Sequence, residues 1–434
     1  RIEAFLDSLR GSELNAKKDV TVFRPHPGPS SPPTSRTLYF PYMHDGAYLV
    51  AAAARSVGIP SEVLPKQTDE DIALGRKYTS SKECFPMICT TGSFLKKLYE
   101  PGADPSKISF FMPDHNGPCR FGQYNHFQRV LFDRLGFGEA TIMTPSNDTS
   151  YADLAGAKSQ QFRINAWKGF VAFDFLRKLY RETKPYETNR GETQELYESS
   201  LRKIERCIES GSRGLRRLLV GITSDFIALD IDKSKRRPVV AVFGEIYMRD
   251  NAGCNGNISN RLEDLGLEVV IGPFSEWITY STYRYNRDSR WKNDIRGIIR
   301  SSIQSVGQEV IVKYLLNGIN KFTDYHKDVS LHEMLRLSNQ YVNEFYDGDP
   351  PIAIGSSVAL ASRGVSGIAA ILPFTCMPGT LIASVSDSFR KDHNNIPFIN
   401  IAYDGQDSVS LDTRLQAFAF QVKEYAASME PAVV

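Results

Sequence analysis

The chain has 434 residues, 41% apolar, 24% charged and 11% aromatic, which is enough for two or three globular domains. Lys plus Arg (52) nearly balances Asp plus Glu (50), so nothing argues for a nucleic-acid partner, and the basic clusters at Arg213–Arg217 and Lys233–Arg237 read as solvated faces or linkers. The longest apolar runs, Ala47–Ala54 and Ile368–Phe374, are far shorter than the roughly 20 residues of a spanning helix.

In chain order, residues 1–35 read as an N-terminal helix, RIEAFLDSLRG, and a linker rich in Pro and Ser. Opening on Arg1 without a signal peptide, this stretch looks like part of a longer polypeptide. A first α/β domain is predicted over 36–165. It contains the strand TLYFPY (37–42), a helix AYLVAAAARSVG (47–58) stopping at Gly58, and the strand PSEVLP (60–65). KISFFMP (107–113), the helix FGQYNHFQRVLFDRLGFG and ATIMTP (140–145) repeat the pattern. Residues 166–235 carry a helical pattern and no strand signal. A second α/β domain is predicted over 236–434, from RPVVAVFGEIYM (237–248) through the helix NGNISNRLEDLG to LEVVIGP (267–273). A helical insertion occupies about 290–348. GIAAILPFTCMPG (367–379), a helix through Arg390, IPFINIAY (396–403) and a closing helix DTRLQAFAFQVKEYAASM follow. Alternating strands and helices imply parallel pairing with helices on both faces, hence an α/β fold of two doubly wound domains.

Several chemical signatures are missing from the sequence: GxxxxGK[ST], GxGxxG after a strand, GxSxG and HExxH. The cysteines remain. Six in this length are too few for a disulfide scaffold, so a reducing, cytoplasmic setting is expected. Cys84 (KECFPMICTTG), Cys119 (DHNGPCRFG) and Cys376 (PFTCMPG) each have a proline within two residues and precede a helix. Strand ends in parallel sheets collect ligands, and helix N-termini stabilise thiolates. A lone cysteine is usually a small buried hydrophobe; three in one context point instead to a metal. Cys207, inside RKIERCIES, reads as an ordinary helical cysteine. Cys89 and Cys254 (NAGCNGN) read as inert or as further ligands.

Iron–sulfur clusters are normally held by four cysteines, so three would leave an open site. Tetrahedral zinc with Cys89 as fourth ligand is the alternative, although only Cys84 and Cys89 approach the usual zinc spacing.

The stretches ECFPMICTTGSFLKKL, DHNGPCRFGQYNHFQRVLFDRLG, FGEIYMRDNAGCNGN and LPFTCMPG resemble the 2-hydroxyglutaryl-CoA dehydratase superfamily, and within it the branch related to acyl-CoA dehydratase activases. The resemblance covers about residues 35–425. It implies two Rossmann- or flavodoxin-like domains with a [4Fe–4S] cluster between them on Cys84, Cys119 and Cys376. It implies electrons from an ATP-dependent activator, separate or fused N-terminally, an oxygen-sensitive low-potential reductase or a 2-hydroxyacyl-CoA dehydratase-like lyase, an unidentified small-molecule substrate, and a homodimer. A sister group carries a double-cubane [8Fe–9S] cluster, for which about six thiolates are needed. Beside such a cluster, Arg120 would offset charge, and Glu83, Asp114, His115 and Glu245 would donate protons. As capping or loop-forming residues these, like Asp404, would have no catalytic part. The readings from other classes are a non-catalytic electron-relay or scaffold module and a zinc-stabilised structural protein.

Overall fold

The computed structural model describes residues 35–429 except 81, 115, 116, 118, 146–151, 323, 324 and 406–408, and of 152, 153 and 409 the backbone alone. The expected N-terminal helix and linker and the candidate proton donor His115 lie outside the described residues.

The fold is mixed α/β with two four-stranded, wholly parallel sheets. The first comprises β1 (Thr37–Phe40), β2 (Ser61–Val63), β3 (Ile108–Phe111) and β4 (Thr141–Met143), in the order β2-β1-β3-β4. Helix α1 (Gly46–Arg55) joins β1 to β2; α2 (Asp69–Lys77) and α3 (Phe85–Leu98) lie between β2 and β3; α4 (Tyr124–Arg134) leads to β4. A helical stretch follows: α5 (Ser159–Thr183), α6 (Glu192–Glu209) and α7 (Leu215–Ile227). The second sheet is β5 (Val239–Gly244), β6 (Glu268–Ile271), β7 (Gly367–Pro373) and β8 (Phe398–Tyr403), in the order β6-β5-β7-β8. Its helices are α8 (Ile258–Asp264), α9 (Ser275–Trp291), α10 (Ile295–Leu316), α11 (Leu331–Ser338), α12 (Asp349–Ser362), α13 (Met377–Asp392) and α14 (Val409–Met429). The two sheets share one strand order, so β3 and β7 hold equivalent places.

Every residue of β5 and β7 is buried, the mark of parallel strands covered on both faces, and their VVAVFG and GIAAILP runs are accordingly apolar throughout. The halves share a core. Ile72, Phe85, Ile88 and Cys89 from the first pack with Val240, Val269 and Ile371 from the second. Helix α5 touches both: Gly169 lies against Leu49 of α1, while Arg177 donates to the Gly272 carbonyl at 2.9 Å beyond β6. Arg181 and Lys184 close on Glu263 of α8 at 2.6 and 2.7 Å.

Three helices occur where the sequence reading assigns no element. Helix α2 is short and strongly charged, and starts where Thr68 donates both its N–H and O–H to Asp71. Helix α9 is rich in Tyr, Thr and Trp, residues that favour strands. Helix α12 is buried along nearly its whole length, so it has no polar face to create a helical period. No helix among the described residues is long and apolar enough to cross a membrane.

Candidate functional site

Cys84, Cys119 and Cys376 all occupy helix N-caps. Cys84 (φ −73°, ψ 152°) caps α3, Cys119 (φ −73°, ψ 135°) caps the 3-10 turn Arg120–Gln123 ahead of α4, and Cys376 (φ −71°, ψ 122°) caps α13. Extended backbone is what an N-cap requires, and Pro86 and Pro378 stand at the second helical positions, where the missing N–H costs nothing. The prolines that follow Cys84 and Cys376 in the sequence are therefore helix-start signals. The Cys119 Sγ accepts the Phe121 N–H at 3.5 Å. Cys119 follows β3 and Cys376 follows β7, so the two equivalent strands each deliver one thiol from their carboxyl end.

The three thiols lie close enough that charge on Cys84 acts on Cys119, and charge on Cys119 acts on Cys376. Burial pushes all three above the ordinary thiol value, Cys119 to about 12. The N–H groups of Met87, Phe121 and Gly379 pull the other way. Such thiols stay protonated unless a cationic centre displaces the protons. The Tyr124 hydroxyl, buried on α4, is hydrogen-bonded to the Cys84 Sγ.

Arg120 straps the three loops together. Its guanidinium donates to the Lys82 carbonyl at 2.5 Å, to the Thr375 carbonyl at 2.8 Å and to the Thr375 hydroxyl at 3.1 Å. Thr375 has φ +61°, a left-handed conformation that a β-branched residue adopts only when its surroundings impose it. The residue before Cys376 is thus held in place by the residue after Cys119.

An acidic pair borders the thiols. Glu245, just beyond β5, accepts the N–H groups of Tyr247 and Met248 at 3.1 and 2.9 Å. Asp349 is the first residue of α12 and is buried. Burial raises both carboxyls above their usual range, and the charge of Asp349 raises Glu245 further. Between them the pair retains a proton at neutral pH. Asp349 and Tyr124 are absent from the sequence-based site; the GDPP run at 348–351, which starts a helix on prolines, was the available signal for Asp349.

The remaining candidates divide. Glu83 folds back on its own loop, accepting the Ser80 and Lys82 N–H groups at 2.8 and 3.1 Å, as a loop-forming carboxylate does. The Asp114 N–H donates to the Pro145 carbonyl at 3.3 Å, and the Asp404 carbonyl accepts from Arg76. Cys89 and Cys254 are buried beside one another and beside Tyr247, which also lies within reach of the Glu245 charge. Cys207 is apart on α6, its Sγ donating to the Arg213 carbonyl at 3.4 Å. Among the described residues, no three His, Cys, Asp or Glu side chains converge tightly enough to bind one metal ion as they stand. A cavity of about 30 Å³ is lined by Glu276, Lys178, His326 and Asp328 among others, and by none of the cysteines.

No family model matches this chain, and no curated protein does.

Proposed function

We propose that the chain is an iron–sulfur protein of the 2-hydroxyglutaryl-CoA dehydratase type, a low-potential reductase or dehydratase-like component that takes electrons from an ATP-dependent activator. The observation that carries this reading is the convergence of three N-cap cysteines on loops cross-strapped by Arg120. The donor set fits a cluster better than a single ion. Three soft thiols suit a centre with several irons, and three helix starts supply N–H groups and positive potential for an anionic one. Cys84, Cys119 and Cys376 would hold it, and when bound it supplies one-electron chemistry. Around it, the Tyr124 hydroxyl holds the Cys84 sulfur, Arg120 fixes the loops, and the Glu245–Asp349 pair keeps a proton beside the thiols.

The same reading takes each half as a doubly wound, flavodoxin-like domain. In its support, each sheet has its first strand inside, so the chain reverses direction between β1 and β3 and between β5 and β7. Ligands of doubly wound sheets gather at the carboxyl ends of strands beside such a reversal, and Cys119 and Cys376 follow β3 and β7.

A second reading, a larger double-cubane cluster, is favoured by one observation: Cys89 and Cys254 share Tyr247, two residues from Glu245, which acts on all three N-cap thiols.

Anaerobic purification followed by iron, acid-labile sulfide and zinc analysis tests the proposal. About four irons with matching sulfide per chain are expected, falling to a small fraction in Cys376→Ala; about eight would favour the larger cluster. Zinc alone, or no metal after anaerobic reconstitution, would overturn both.

A further inference from the structure

Helix α10 is built inside out up to Gln308. Its buried residues there are Gly297, Ser301 and Gln308, and only its last turns put Ile311, Val312, Leu315 and Leu316 on the core, while its outer face carries Ile295, Ile299, Ile303, Val306, Val310 and Tyr314, each 56–70% exposed. A surface helix ordinarily turns its apolar stripe to the core. Here polar bonds hold the opposite rotation. Asn286 donates to Ser301 Oγ at 2.8 Å, Gln304 and Gln308 donate to Thr282 Oγ1 at 2.9 and 3.2 Å, and the Trp167 indole donates to the Gln308 carbonyl at 3.2 Å.

The order of the stripe says what fits it. The spacings along Ile295, Ile299, Ile303, Val306, Val310 and Tyr314 are four, four, three, four and four, the same from either end. We propose that this face docks a second copy of the same helix, antiparallel about the midpoint between Gln304 and Ser305. That register sets Ile295 against Tyr314, Ile299 against Val310, and Ile303 against Val306, so every apolar side chain meets an apolar side chain.

Charge favours the antiparallel sense. Arg296 and Arg300 stand near the N-terminus of α10 with no acidic residue in the first turn, where the helix dipole disfavours cations. In the antiparallel register Arg300 of each copy faces Glu309 of the other while Arg296 faces Lys313, whereas a parallel pairing would set each of these charges against its own like and leave no attractive pair. The area is sufficient. Six such side chains present on the order of 500 Å², near the top of the roughly 300–600 Å² of the largest patch on a typical monomer. Two copies together would cover about 1,000 Å², the threshold of a specific interface.

The test is sedimentation velocity on the full chain across a concentration series. A dimer is expected, and the double variant Ile303→Lys, Val306→Lys weakens it about a hundredfold or more. Both positions are solvent-exposed, so far-UV circular dichroism and metal content stay at wild-type values, and the thermal midpoint falls only by what the lost association contributed at that concentration. That keeps the outcome separate from the fate of the metal reading. Cross-linking gives an independent arm: a mixture of Ile299→Cys and Val310→Cys chains joins 299 to 310, and Ile299→Cys chains alone do not join at 299. A chain that stays monomeric at high concentration, a dimer that survives the lysines, 299-to-299 cross-links, or a monomer that uses the stripe to bind phospholipid vesicles would each overturn the proposal.

Discussion

Glu276, near the start of α9, accepts the Ser356 hydroxyl on Oε2 at 3.3 Å, while among the described residues its Oε1 has no partner. Burial pushes its carboxyl up to about 7, with Arg249 opposing. The unfolded carboxyl ionises near 4.5, so between that pH and 7 the folded chain holds a proton that the unfolded chain has released. Stability from this group is therefore fully present below pH 4.5 and is lost as the pH rises through 7, by about 3 kcal/mol. Glu276→Gln, neutral throughout, removes that loss. Urea unfolding at pH 5 and pH 8 should show the variant gaining on the wild type at the higher pH, and equal pH dependence in the two proteins would refute the assignment. At this scale the three N-cap cysteines were legible, because proline and a following helical pattern mark an N-cap locally. Asp349, Tyr124 and Arg120's straps were not, because each matters through partners far away in the chain: Thr375 is 255 residues beyond Arg120.

Helices α2 and α3 touch backbone to backbone. A Cβ on Gly92 would lie 1.7 Å from the Asp71 carbonyl oxygen, and one on Gly75 would lie 2.0 Å from that of Ile88. Backbone cannot swing aside as a flexible side chain does, so Gly92→Ala should force the helices apart and cost about 3 kcal/mol or more. Thermal unfolding checks it, with Gly102→Ala unsuitable as a control because its positive φ adds strain of its own, and Gly221→Ala, where a Cβ meets nothing within 4 Å, the suitable one. Because Cys84 caps α3 and Cys89 lies on it, the proposed cluster would lose occupancy in the same variant. Elements with a clear period or an apolar run were readable in advance, including β5, β7 and α1. Helix α12 was not, since burial on all sides erases the amphipathic pattern, and α9 was obscured by strand-favouring side chains that tertiary packing overrides.

The two halves are joined by a buried polar network as well as by shared core. Asn251, fully buried beyond β5, donates to Gln67 Oε1 at 3.0 Å; Gln67 in turn donates to the Tyr42 carbonyl at 2.9 Å, and Asn251 Oδ1 accepts the Gly253 N–H at 3.1 Å. Asn251→Ala strands a buried acceptor on Gln67 and a partly buried donor on Gly253, so a loss of about 2–4 kcal/mol is expected. Denaturant titration measures it, and a change under 1 kcal/mol would show that the network contributes little to joining the halves. The sequence by itself determined the α/β class, the strands of both parallel sheets and the thiols at three helix starts, because hydrophobic period, proline position and capping are local properties of the chain. Only the tertiary structure decided that the two sheets share one strand order, that β3 and β7 bring their cysteines towards each other and Cys84, that Glu245 meets Asp349, and that α10 turns its apolar face outward. Those are contacts between residues tens to hundreds of positions apart, set by how buried surfaces and polar groups are satisfied together, and no local pattern encodes them.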